Sequence, residues 1–283
     1  MPPSTILLTG AAGRIGSMLR PRLARPDRVL RLLDVAPLPP RPGRPVPVAL
    51  PSAGAEESVT ASVTDLAAMT AACAGVDAVI HLGGISTEDA WAPILDVNIN
   101  GAYTVFEAAR RAGVRRVVFA SSNHAVGFAA RTAYPLADDA RPEPDTYYGV
   151  SKAAGEALAA LYARRYGLET VCVRILSCFD RPLNARMLAT WLSPDDAGRL
   201  FDACLTAPAP GFRVIYGVSA NTRGGWVSLD GARALGYQPR DDAEDYAAGV
   251  LRGREPDPAD PVLRYLGGEF TLPSRDAPVP PAP

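Results

Sequence analysis

Thr5-Ile6-Leu7-Leu8-Thr9 is a short apolar run that stops at Gly10-Ala11-Ala12-Gly13-Arg14-Ile15-Gly16, and an apolar helical pattern follows through Leu19 and Leu23. A strand, a glycine turn and a helix in that order start the chain as one βα unit of a parallel sheet. The glycines at Gly10, Gly13 and Gly16 have a physical use. A backbone without Cβ can turn tightly and let a pyrophosphate approach the helix N-terminus, where unpaired N–H groups and the helix dipole favour an anion. The same spacing also serves as a tight turn that holds no ligand, so the next strand has to decide between the two.

Val29-Leu30-Arg31-Leu32-Leu33 reads as a second strand with Asp34 at its carboxyl end. A carboxylate there can bind a ribose diol and repels a 2′-phosphate, which favours NAD over NADP. A plain turn cap is the alternative for Asp34, and Arg14 or Arg31 could shield a phosphate. Residues 36–51 carry seven prolines (37, 39, 40, 42, 45, 47 and 51), so they are expected as an extended surface connector. Regular structure resumes with a strand at 57–60, a helix from Asp65 to Ala74 and a strand from Val76 to Leu82 that ends at Gly83-Gly84. The exit Gly83-Gly84-Ile85-Ser86 falls at the carboxyl end of a strand, where a doubly wound sheet presents ligands. Ser86 could touch a substrate or simply close a turn. A helical pattern runs from Trp91 to Ala112 and carries a polar Asn98, suited either to a hydrogen-bonding duty at the cleft or to a satisfied interior position.

Arg115 to Ser122 is a continuous apolar run ending in two hydroxyls, as expected of a buried parallel strand, and Asn123 to Gly127 follow as a loop. A polar, proline-containing segment leads to a helix over Thr146 to Tyr166, and Val171 to Ile175 is a sixth strand. The alternation predicts an α/β fold, a Rossmann-type doubly wound parallel sheet, over residues 1–176. A small C-terminal substrate lobe over 177–270 would follow, with 212–218 returning to the main sheet and 271–283 a loose proline-rich tail. Of 283 residues only 108 follow Ile175, which suits a small substrate better than a second nucleotide.

Composition removes other functions. A net charge of −1 and a pI near 6.2 leave no positive excess for a phosphate backbone, so nucleic acid is not expected. No apolar run reaches the length of a membrane span, and the N-terminus lacks the pattern of a secretory signal, which points to the cytoplasm. Four cysteines (Cys73, Cys172, Cys178, Cys204) lie scattered in apolar or helical contexts and read as reduced. Two histidines and no Cys-x-x-Cys argue against a metal site.

Tyr148 and Lys152 are i and i+4 partners near the start of the helix, on one face. An isolated pair of this kind is ordinarily a solvated helix start. Here parallel topology brings it to the same end of the sheet as the glycine turn and the Ser121-Ser122 hydroxyls, beside a nicotinamide. In that setting Tyr148 takes a proton from an alcohol and Ser122 hydrogen-bonds the same oxygen. Lys152 lowers the tyrosine pKa and holds the nicotinamide ribose.

The order TGAAGRIG, LLD, HLGG, NxxG, FASSN, YGVSK and VRI resembles the extended branch of the short-chain dehydrogenase/reductase superfamily, the epimerase/dehydratase type. Within it, HLGGIS at 81–86, FASSNHAVG at 119–127, VRILSC at 173–178, RMLATWLSPDD at 186–196 and YGVSANTRGGW at 216–226 are similar to the uronate dehydrogenase family. The resemblance implies NAD-dependent oxidation of the C1 hydroxyl of a hexuronic acid, glucuronate or galacturonate, to the aldarolactone, by a homo-oligomer. It makes Tyr148, Lys152 and Ser122 catalytic. It puts Ser86, Ser122, Asn123, His124, Ser177 and Arg186 around the sugar, with Arg186 gripping the carboxylate. Gly10, Gly13, Arg14, Ile15, Gly16, Asp34, Leu82, Gly83, Gly84, Asn98, Lys152 and Cys178 would surround the cofactor. Two departures stand out: Ser62-Val63 replaces an aspartate-leucine pair at the adenine, and Leu176 replaces a small glycine beside Ser177. Trp226 reads as a pocket wall or a core residue. A nucleotide-sugar epimerase, another sugar dehydrogenase of this fold and a non-catalytic dinucleotide sensor are the alternatives.

Overall fold

The N-terminal apolar run forms β1 (Ser4–Thr9), and the glycine turn leads into α1 (Arg14–Leu23). The computed structural model describes residues 4–39, 55–131, 135–257 and 259–273, so most of the proline-rich connector lies outside the described residues. The chain continues through β2 (Arg28–Asp34), β3 (Glu56–Thr60), α2 (Leu66–Ala72), β4 (Ala78–His81) and a short α3 (Trp91–Pro93). A π-helix (Ile94–Asn100) then runs into α4 (Gly101–Arg111), followed by β5 (Arg116–Ser122), α5 (Tyr147–Tyr166) and β6 (Glu169–Ile175). The short β7 (Ser177–Cys178), α6 (Met187–Thr190) and β8 (Trp191–Leu192) precede α7 (Pro194–Thr206) and β9 (Phe212–Gly217).

Seven strands make one parallel sheet in the order β3-β2-β1-β4-β5-β6-β9. The order reverses between β1 and β4, which opens a crevice at their carboxyl ends. The run at 212–218 does return to this sheet, pairing Thr170 with Phe212 through Ile175 with Gly217. β7 and β8 form a separate parallel pair, each only two residues long and so too short to show a strand period in the sequence.

Strand periodicity decides which helices cover which face. Ile6, Leu8, Leu30 and Leu32 point to one side and pack with Leu19 and Leu23 of α1 and Leu200 and Phe201 of α7. Leu7, Leu33, Val117 and Phe119 point to the other, against Met69 of α2, Phe106 of α4 and Tyr162 of α5. Helix starts are capped by side chains: Asp65 accepts the Ala68 N–H, Thr146 accepts the Gly149 N–H and Ser193 accepts the Asp196 N–H.

His81 ends β4 inside this core, with Nδ1 2.8 Å from Thr9 Oγ1. Burial, aided by the positive charge of Lys152, pushes its pKa down to about 3. A base depressed in the folded state contributes stability above its unfolded pKa, near 6.5, and loses it as pH falls toward the folded value. We expect the protein to be about 2 kcal/mol less stable at pH 5 than at pH 7 from this group alone. Denaturant titration of wild type and His81→Gln at both pH values checks it. An equal loss in the two proteins would take the effect away from His81.

Candidate active site

The crevice is a cavity of about 920 Å³ running from the glycine turn to the C-terminal segment. Its first half is made of backbone. Gly10 sits at φ +69°, and a Cβ there would come within 2.7 Å of the Gly83 nitrogen, so β1 and β4 could not close at this level with any other residue. Asp34 lines the cavity; its Oδ2 accepts the Ala12 N–H at 2.9 Å and its Oδ1 accepts the Ala36 N–H at 3.0 Å. Arg31 is committed elsewhere, to Glu57 at 2.7 Å and to the carbonyls of Ala72 and Ala74. Arg14 lies over the Phe179 ring, 4.4 Å from its centroid. Val63 is buried, and Ser62 Oγ pairs with Thr64 Oγ1, although both Ser62 and Val63 line the cavity. A glycine cradle at a helix N-terminus with a carboxylate at the end of the next strand fits a dinucleotide: Gly10 to Gly16 would take the pyrophosphate and Asp34 the adenosine ribose.

The middle of the cavity holds Ser122, Tyr148 and Lys152. Tyr148 is the second residue of α5, whose first N–H groups at Tyr147 and Tyr148 donate to Glu88 at 3.2 and 2.8 Å. Burial pushes the Tyr148 phenol up to about 12; a hydrogen bond with Ser122 opposes this, and the Asp145 carboxylate adds to it. Burial also pushes Lys152 down to about 8. Its ammonium donates to the Ala120 carbonyl at 2.9 Å and lies 5.4 Å from the Tyr148 ring centroid. The two side chains lie side by side, but burial dominates, and the phenol is held above rather than below its ordinary pKa. Ser122 Oγ accepts the His124 N–H at 3.2 Å.

Asn98 departs from expectation. It does not line the cavity. Its Nδ2 donates to the Ile85 carbonyl and to Ser151 Oγ, while its Oδ1 accepts the Ile85 N–H at 2.8 Å. It holds the Gly84-Ile85-Ser86 turn in place, and the π-helical winding of its segment accompanies that reach. Of the residues expected around a cofactor, Gly13, Ile15, Gly16, Leu82 to Gly84 and Cys178 line the cavity, with Cys178 buried and its thiol pushed up to about 12 by burial.

The far half gathers Ser86, Asn123, His124, Ser177 and Arg186. Ser86 is exposed at the rim. Ser177 Oγ lies 2.9 Å from Thr190 Oγ1 and 3.5 Å from Arg186 Nη1. The other Arg186 terminal nitrogen donates to the Leu266 carbonyl, and its Nε is buried with no partner among the described residues. Burial lowers Arg186 to about 10, opposed by the charges of Asp145 and Glu269. Trp226 is a core residue that backs Arg186, with the guanidinium 5.7 Å from its ring, rather than a cavity wall. Leu176 packs with Val126, Tyr216 and Trp226 and also lines the cavity.

Two contributors escape a reading of the sequence. Asp145 has a fully buried side chain whose Oδ2 takes His124 Nδ1 at 2.7 Å. The segment 261–271 closes the sugar side: Leu266 N–H donates to the Ala129 carbonyl, Gly267 N–H to that of Gly127, and Asn123 Nδ2 to that of Leu266. Phe270 lies 4.1 Å from the His124 ring, and Val262, Gly267, Glu269 and Phe270 line the cavity. Thr271 ends a 3-10 turn here rather than starting a loose tail, and 274–283 lie outside the described residues. The only sequence signal for this segment is the glycine pair Gly267-Gly268 before an acidic and an aromatic residue. Among the described residues no group of three His, Cys, Asp or Glu side chains could hold a metal, and no helix is long and apolar enough to cross a membrane.

A glycine cradle, a ribose carboxylate and a serine-tyrosine-lysine set in one switch-point crevice define a dinucleotide-dependent enzyme. Residues 6–189 match the NAD dependent epimerase/dehydratase family, and the chain belongs to that family. Within it the similarity is to uronate dehydrogenases. The uronate dehydrogenase of Pseudomonas putida is 44% identical over 271 residues, 96% of this chain and 97% of that protein. The crystal structure of uronate dehydrogenase from Agrobacterium tumefaciens superposes with a TM-score of 0.84 at 42% identity, covering 96% of this chain and 97% of that one. A tyrosine-to-alanine mutant of that enzyme, complexed with NAD, gives a TM-score of 0.84 at 41% identity over 95% of this chain and 97% of its own.

Proposed function

We propose that the protein oxidises the C1 hydroxyl of a cyclic hexuronic acid, glucuronate or galacturonate, with NAD and yields the aldarolactone. The observation that carries this is the presence, in one cavity, of the Ser122–Tyr148 pair and of Arg186 with a buried, unpartnered Nε. A guanidinium is the side chain suited to a two-pronged hold on a carboxylate, and a carboxylate would supply the charge that burial denies Arg186. Similarity to uronate dehydrogenases supports the same substrate class.

Bound NAD supplies the acceptor for the hydrogen that leaves C1 with its electron pair. The remaining work falls to this chain. Arg186 and Ser177 hold the carboxylate end, and Ser122 Oγ and Tyr148 Oη flank the C1 oxygen. Tyr148 Oη receives the hydroxyl proton as the carbonyl forms, so C1 loses its one hydrogen, its hydroxyl loses a proton, and the ring oxygen stays bonded to C1. Lys152, fixed at the Ala120 carbonyl, puts a positive charge beside the phenol and favours its ionised form. Asn98 keeps Ser86 at the rim by holding the neighbouring backbone. Leu176 narrows the sugar end.

A cytoplasmic homo-oligomer belongs to the same reading. All four cysteines are free and buried, and Trp91, Tyr103, Tyr147, Leu161 and Tyr166 leave an exposed apolar face on adjoining helices, suited to a second copy. The test of function is direct: the protein is mixed with NAD and a panel of uronic acids, neutral sugars and nucleotide sugars while reduced cofactor is followed. Turnover with glucuronate or galacturonate is expected. Silence with every uronic acid would sink the proposal, and consumption of a nucleotide sugar instead would favour an epimerase-type activity.

A further inference from the structure

We infer that Asp145 is a positioning residue for His124, fixing the ring so that Nε2 accepts a hydrogen bond from a sugar hydroxyl. The inference deepens the proposed uronate oxidation and rests on it for the identity of the hydroxyl. Asp145 is the most enclosed carboxylate at the substrate end. Its side chain is wholly buried; Oδ2 meets His124 Nδ1 at 2.7 Å and Oδ1 accepts from Thr146 Oγ1 at 2.9 Å. Three glycines from three separate stretches make the room for it. A Cβ at Gly127 or at Gly267 in the C-terminal segment would run into its carboxylate group, and one at Gly149, in the first turn of α5, would run into the His124 carbonyl and come within 3.0 Å of Asp145 Oδ1. A buried carboxylate is costly unless its charge is paired or hydrogen-bonded, and its side-chain partners here are His124 and Thr146.

The use lies in the imidazole. A carboxylate only accepts, so the nitrogen facing it must carry the hydrogen, which fixes Nδ1 as the donor. Phe270, 4.1 Å from the ring, and Tyr148, edge-on to it at 5.6 Å, pack against the imidazole and oppose a flip that would put Cδ2 in place of Nδ1. Nε2 is then left on the opposite edge of a ring that lines the cavity, and in the neutral imidazole it is an acceptor. The substrate end thereby acquires two polarities: Arg186 donates to a carboxylate and His124 accepts from a hydroxyl. Asp145 also places its negative charge near both Arg186 and Tyr148. Its removal would therefore reach all three.

Only two histidines are in the chain, so ¹⁵N NMR of the histidine-labelled protein with NAD bound resolves His124 against His81. The wild type is expected to show His124 protonated at Nδ1 and bare at Nε2, and Asp145→Asn to lose that fixed tautomer. For the kinetics, Asp145→Asn and His124→Gln should each raise the KM for uronate about 10- to 100-fold, the scale of one hydrogen bond to a charged or buried group. The loss in the double variant should fall short of the product of the single losses, because part of the Asp145 effect passes through His124. A wild-type spectrum with Nε2 protonated, alone or together with Nδ1, would overturn the inference without any variant. So would an unchanged His124 spectrum in Asp145→Asn, or a double variant whose loss is the product of the single losses. Absence of uronate turnover in wild type would instead remove the function, and the spectra would still decide the pairing.

Discussion

Tyr148→Phe is expected to lower the turnover of uronate between about 100- and 10,000-fold, the contribution of a positioned proton acceptor. Binding of NAD should survive, because the cradle of Gly10 to Gly16 and the Asp34 carboxylate lie outside the change. Phenylalanine fills the same space at the head of α5, so the Glu88 contacts to the backbone N–H groups and the Thr146 cap remain. What disappears is the oxygen that Ser122 shares with the substrate. The pH profile carries the same signature. With the phenol held near 12, only a small fraction is ionised at neutral pH, and that fraction grows about tenfold per pH unit until the pKa is reached. Wild-type turnover should therefore rise with pH through the neutral range, and the phenylalanine variant should lose the rise. Steady-state kinetics and an NAD titration of both proteins check this. Retained oxidation by Tyr148→Phe would assign the proton to another group, with His124 the nearest candidate.

Arg186→Ala is expected to cut kcat/KM for glucuronate by about 30- to 5,000-fold, corresponding to roughly 2–5 kcal/mol for one partner of a buried charged pair. The loss has two sources. The carboxylate of the substrate would lie in a pocket with no compensating cation. The Leu266 carbonyl, which takes both Arg186 and Asn123, would lose a donor, and the segment over the cavity would be held less firmly. Comparison with an uncharged sugar separates the two, since the first source acts on uronates alone. Near-normal turnover of glucuronate by the variant would remove Arg186 from substrate recognition.

Much of this site can be read from sequence, because it is built at the carboxyl ends of parallel strands. Once the glycine turn, Asp34, Ser122 and Tyr148 are assigned to strand ends or to the helix after them, topology alone brings them together. What could not be read is what periodicity does not encode. Asp145 lies in the polar stretch Arg141-Pro142-Glu143-Pro144-Asp145, which looks like a surface loop; its burial depends on Gly127, Gly149 and Gly267, far apart in the chain. Asn98 has the right address and a different duty, since its amide is spent on Ile85 and Ser151. Likewise Tyr148 and Lys152 are correctly paired by spacing, yet the ammonium bonds the Ala120 carbonyl, and burial decides the resting pKa of both. The cover at 261–271 is assembled from backbone hydrogen bonds to residues near 127 and 129, a pattern with no local signature.

That cover has a consequence for how the molecule comes into being. Translation delivers the N-terminal segments first, and the first six strands of the main sheet, with the glycine cradle and Tyr148, have been made before β9 joins its edge. The wall that carries Leu266, Gly267 and Phe270 follows all of these strands in the chain. A nascent chain can therefore own a nearly complete dinucleotide crevice before the far half of the cavity has its cover, and Arg186 and Asn123 wait for a carbonyl that has not yet been synthesised. The far half of the cavity is completed only by a segment that comes after β9.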